Sequence, residues 1–134
     1  MIAIFAQLDL LFQIPVRQVA GTVLKNTLFS KHEATFVSQT QQYSAIPATV
    51  RQAVKTCTLQ SLLSPHREIR LAAASAACHV AVAELTISPS GWDEFFVGLV
   101  QLAQQTQTEE ACGRAESALK CIGTLHWTFL FSFC

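Results

Sequence analysis

The side chains able to carry covalent or metal chemistry are scattered along this chain. Cys57, Cys78, Cys112, Cys121 and Cys134 form no CxxC pair, and an odd, widely spaced set of thiols points to neither a zinc ribbon nor a disulfide framework. They read as small core residues on helices in a reducing compartment. His32, His66, His79 and His126 lack HExxH or any other ligand spacing, so no metal site is assigned. A nucleophile needs a base within hydrogen-bond reach and a motif that presents it, and no Ser/His/Asp or Cys/His grouping has one. The expectation is a non-enzyme, with no catalytic residue, no metal and no cofactor. His79, in an alanine-rich stretch, reads as a packing histidine.

The chemistry left is recognition, and it centres on residues 15–29. Val16, Val19, Ala20, Val23, Leu24 and Leu28 recur at the i, i+3, i+4, i+7 spacing of one helical face, with Arg17, Gln18, Thr22, Lys25 and Asn26 on the other side. Pro15 suits the first helical position, where its missing N–H costs no helical bond. Arg17, Lys25 and Asn26 form a basic and amide patch that suits an acidic partner surface; the alternative is a solvated helix face. Gly21 costs a mid-helix position about 1 kcal/mol relative to alanine, which predicts close approach by another backbone.

Composition narrows the partners. Of 134 residues, 51% are hydrophobic and 13% charged, so much apolar surface needs covering. The formal net charge is zero, which argues against nucleic acid and against an anionic membrane. Residues 1–12 lack the basic n-region of a signal peptide, and the apolar run 125–134 falls short of the roughly twenty residues that cross a bilayer. A cytosolic or nuclear protein is expected.

Positioning the patch falls to a run of helices. Residues 1–13 are apolar nearly all round and read as a buried helix. Ser30 with Glu33 makes a capping-box pattern before a more polar helix at 34–43, whose sticky stripe is Phe36, Val37, Thr40 and Tyr43. Pro47 opens a helix to 63, with Val50, Val54, Cys57, Thr58 and Leu62 on its apolar face and Arg51 and Lys55 opposite. Residues 67–85 are so rich in alanine that their helix must lie close to its neighbours, with Arg67 and Arg70 as solubilising residues at its head. Ser88-Pro89-Ser90-Gly91 is turn chemistry. A helix at 92–105 carries Phe95, Phe96, Leu99, Val100 and Leu102. The last helix, at 109–125, sets Glu109 and Glu110 against the helix dipole and buries Ala115, Ala118, Leu119 and Ile122. No strand pattern and no glycine-rich loop interrupts this order, so the fold class is all-α.

Small residues recur near Ala20-Gly21, Cys78-His79 and Ile122-Gly123. The second interval falls within the roughly 40–47 residues of a HEAT-type helical pair, and the first is longer by the polar helix at 34–43. One pair cannot bury both its faces alone, so stacking into an α-α superhelix (a HEAT/ARM-type solenoid) of about three pairs plus one linker helix is expected. Helices 47–63 and 92–105 would be outer ones, and 15–29, 67–85 and 109–125 inner ones lining a concave face.

The string VRQVAGTVLKNTL, Val16 to Leu28, resembles the Arg-x-x-Ala-Gly-x-x-Leu-Lys-Asn signature of the importin-β (karyopherin-β) N-terminal region. Later features follow in that family's order. Gln41-Gln42-Tyr43 leading to Ile46 resembles its linker helix, and Arg51 to Leu62 the outer helix after it. Ala83-Glu84-Leu85 resembles an inner-helix end, Trp92 with Leu99 the next outer helix, and Glu109 to Ile122, with its Ile122-Gly123 step, the next inner one. The likeness covers roughly 14–125, which divides the chain into a HEAT-repeat region at 1–125 and an unmatched apolar tail at 126–134. The family carries at least one helical pair before its counterpart of Val16 and many repeats beyond, so a fragment or an imperfect gene model is implied.

That resemblance implies a nuclear transport receptor acting in protein import, in cytoplasm, nucleus and nuclear pore, whose inner helices hold a Ran-type small GTPase in its GTP form. Through the signature, Arg17, Gly21, Lys25 and Asn26 are implied to contact it. Nucleoporins are a further implied partner; cargo or an importin-α adaptor is not expected at this length. Two alternatives stay open: a non-receptor helical scaffold, or a truncated stretch inactive because its solenoid is incomplete. A small-molecule-binding bundle would instead need one closed core, with its first and last helices touching.

Overall fold

The computed structural model describes residues 14–133, with side chains described through Thr128. The helix expected at 1–13 lies outside the described residues. Among those described there are six helices and no strand: α1 (Ile14–Leu28), α2 (Glu33–Ser44), α3 (Ala48–Leu62), α4 (Arg67–Ile87), α5 (Asp93–Gln104) and α6 (Glu109–Phe133). Helix α4 packs against α1, α3 and α6; α5 packs behind α6 as α3 packs behind α4. Helices α1 and α6 are not a packed pair. The result is the expected all-α stack, with α1, α4 and α6 in one layer and α3 and α5 in the other. Helix α2 is the linker and touches both α1 and α4.

Small side chains make α4 the hub. Ala73, Ala74, Ala76, Ala77, Cys78, Val80, Ala81, Val82 and Ala83 are all buried, so neighbours can press on it from several sides. A Cβ on Gly21 would lie 3.2 Å from the Cβ of Ala72 and 3.4 Å from its backbone, the close approach that a mid-helix glycine predicts. On the other side Cys78 Sγ donates to the carbonyl of Cys121 (3.2 Å) and Cys121 Sγ to that of Ala74 (3.4 Å), joining α4 to α6. Hydrogen bonding to Cys121 and burial push the Cys78 thiol well above its ordinary pKa. Of the remaining described cysteines, Cys57 is half-buried and Cys112 exposed, so the core reading holds for only part of the set.

Several local expectations shift. On α1 the buried residues are Gly21, Leu24 and Leu28, while Val16, Val19 and Val23 are exposed. At about 100° per residue, those valines lie about a third of a turn or more from the stripe facing α4. On α6, Leu119 and Ile122 are exposed, and the buried stripe is Ala115, Ser117, Ala118, Cys121 and Leu125, because α4 and α5 both lie on that side. No capping box forms before α2: His32 occupies the N-cap, and Ser30 Oγ accepts the His32 backbone N–H at 3.1 Å. Helix α6 continues without a break past Leu125 to Phe133. Gly91 closes the turn before α5 with φ +51°, a left-handed conformation that glycine adopts without steric cost.

Candidate protein-docking face

The signature residues of α1 do not form one surface. Arg17, Gly21 and Lys25 follow each other at i, i+4 and i+8 along one stripe, and Asn26 stands about a quarter turn round from Lys25. Gly21 is removed from the expected contact set, since it is buried and the space above it is taken by Ala72. Lys25 is half-buried, and its charge is felt at His79 of α4. The His79 imidazole is itself buried and packs tilted against the Phe29 ring, with ring centroids 4.7 Å apart and an interplanar angle of 32°. Burial first, and the Lys25 charge second, push the His79 pKa down to about 4. At neutral pH the imidazole is therefore uncharged at this point of the α1–α4 contact.

Asn26 is exposed, and its backbone carbonyl accepts a hydrogen bond from Gln39 Nε2 of α2 at 3.2 Å. That carbonyl belongs to the last turn of α1, where no intrahelical donor is available. Arg17 is half-buried near the start of the same helix.

Between α4 and α6 the surface carries a paired charge. Arg67 donates from Nη2 to Glu116 Oε1 at 2.6 Å and from Nε to both carboxylate oxygens at 3.1 and 3.2 Å. The bonds hold the Glu116 carboxyl below its usual range and raise the Arg67 guanidinium. Arg70 is not a solubiliser but a buried tie. It donates from Nη1 to the carbonyls of Ser64 (2.9 Å) and Pro65 (3.0 Å), which close the α3–α4 turn. Its Nη2 lies 2.6 Å from where a Cβ on Gly113 of α6 would stand.

The cluster that sequence reading missed surrounds Glu84, buried near the end of α4. Tyr43 Oη of α2 donates to Glu84 Oε1 at 2.8 Å, and Arg51 Nη1 of α3 donates to both carboxylate oxygens at 3.2 and 3.3 Å. Lys55 Nζ stands 3.6 Å from Oε2. Burial and the Glu84 carboxylate drive the Tyr43 phenol pKa far up, so it stays a donor. Arg51 and Lys55, expected on the solvent side of α3, thus turn toward α4. The available signal was Glu84 itself, a carboxylate amid an apolar run that has to find cationic or hydrogen-bonding partners if its helix is buried. Among the described residues, no group of three or more His, Cys, Asp or Glu is placed to hold a metal ion. The arrangement offers charge, amides and shape to a protein partner.

No family model matches the chain. It is 31% identical over 85 residues to importin subunit beta-1 of Schizosaccharomyces pombe, an alignment covering 63% of this chain and 10% of that protein. The chain thus spans about a tenth of the length of this curated relative. Its fold matches a chain of a solved structure described as Kap95p binding that induces the switch loops of RanGDP to adopt the GTP-bound conformation. That match has a TM-score of 0.78 and 24% identity, and covers 90% of this chain and 14% of the other. The resemblance to the importin-β family drawn from the sequence is thus met again in the 85-residue alignment, and the stacked all-α fold agrees with it.

Proposed function

We infer that this stretch works in a nuclear transport receptor, moving between cytoplasm and nucleus, and that its inner helices α1, α4 and α6 bind a Ran-type small GTPase in the GTP form. The observation that carries this reading is the 31% identity over 85 residues to importin subunit beta-1. Lys25 and Asn26 on α1 are the proposed contacts, with Arg17 further along the helix. Gly21 serves them only by letting α1 lie close on α4. Binding without covalent chemistry is the whole activity proposed, and nucleoporins are a second class of partner.

Titration of the chain with Ran loaded with a GTP analogue, and in parallel with GDP, tests the reading. Tighter binding of the GTP form is expected. Lys25→Ala with Asn26→Ala should weaken it about tenfold or more, in the range of a truncated interface anchor, with unchanged helix content. Unchanged affinity would remove both residues from the site. If neither nucleotide form binds, the chain is a helical scaffold for other proteins.

A further inference from the structure

Helix α2 is fastened unlike its neighbours. Of its 12 residues only Tyr43 is buried; Phe36 is half-buried against the core, and most of the rest are exposed. Two polar contacts from one face of the helix reach other elements. Tyr43 Oη donates to Glu84 of α4, and Gln39, one turn earlier, donates to the Asn26 carbonyl at the end of α1. Residues four apart share a helical face, so seating Tyr43 on Glu84 fixes where Gln39 is presented. The Gln39 seat is not a comfortable one by itself, because its Oε1 is buried with no hydrogen-bond partner among the described residues. Something stronger than its own single bond holds the amide there. The Tyr43 phenol on a buried carboxylate, itself fixed by Arg51 and Lys55, is that hold.

We propose that α2 is a strap latched by Tyr43 on Glu84, and that the latch sets the partner-facing end of α1 by placing Gln39 on the Asn26 carbonyl. Tyr43 and Gln39 are positioning residues: they act on Lys25 and Asn26 through the last turn of α1. The link to GTPase binding rests on the function inferred above. The strap itself does not.

Hydrogen exchange on the whole chain, followed by titration with the GTP-loaded GTPase, tests it. Tyr43→Phe removes the donor while Arg51 and Lys55 still neutralise Glu84. Exchange should then quicken about tenfold, the loss of one hydrogen bond to a charged group, in α2 and in the last turn of α1 (residues 25–28), with α4 and α6 unchanged. Gln39→Leu should quicken residues 25–28 alone, and Gln39→Lys, which keeps an N–H donor, should restore them.

Affinity for the GTPase should fall with Tyr43→Phe and Gln39→Leu, and the double variant should be no weaker than Tyr43→Phe alone, because both cut one path. Exchange at 25–28 unchanged in Tyr43→Phe, an equal rise over the whole chain, or additive losses of affinity would each overturn the proposal. If the parent chain binds no GTPase, the binding inference fails and the exchange pattern still decides the strap.

Discussion

Position 79 puts a titratable ring inside the α1–α4 contact, and its energetics follow from where it sits. Folding takes the imidazole out of water, against Phe29 and near Lys25, and its pKa falls from an ordinary 6.5 to about 4. Between those values the unfolded chain binds a proton that the folded chain refuses, so stability rises with pH across that window. The contribution is complete above pH 6.5, drains away as pH falls toward 4, and amounts to about 3 kcal/mol. Thermal melts from pH 7.5 to 4.5 should show this loss, and His79→Gln should flatten the part of it that belongs to the imidazole. Equal slopes for both chains would place the acid sensitivity elsewhere. Reading His79 as a packing residue needed only its alanine-rich surroundings. Glu84 could not be placed that way, since its partners Tyr43 and Arg51 lie 41 and 33 residues away in sequence.

At the level of single helices, periodicity located every element from α1 to α6 to within a few residues, except the end of α6. It was less good at choosing faces. An inner helix of a stack has neighbours on two sides and behind, so its apolar residues spread over more than one stripe. Spacing puts the valines of α1 and the Leu119 and Ile122 pair of α6 on the stripe in contact, and they lie on another. Gly21 was legible for a different reason: it breaks the rule for a helix interior, and only a close neighbour makes sense of the break.

That contact can be tested by size. Gly21→Ala gains helix propensity but sets a methyl 3.2 Å from the Ala72 Cβ, against backbone that cannot swing away. The two effects should nearly cancel. Gly21→Val has no such offset and should cost about 2–3 kcal/mol of overpacking in urea unfolding, part of which Ala72→Gly returns. A Gly21→Val chain as stable as the parent would mean that α1 does not lie as close to α4 as described.

Over the whole molecule, stacking in a line makes a different forecast from wrapping about one centre. Helix α5 packs on α6, and α6 on α4, while α4 also keeps α1 and α3. Damage at α5 therefore passes inward chiefly through α6. Phe95 is fully buried and stacked on Trp92 with ring centroids 4.5 Å apart, so Phe95→Ala removes the anchor of α5 at a cost of about 3–5 kcal/mol. In a closed globule, a loss of that size would lower the protection of every core amide together. In a quasi-one-dimensional stack each unit leans only on its neighbours. Exchange should then quicken first in α5 and next in α6, where Cys121 still grips α4 through the Ala74 carbonyl. The amides of α1, α3 and α4 should keep most of their protection. A uniform rise across all six helices would show one cooperative core in place of a row of couples.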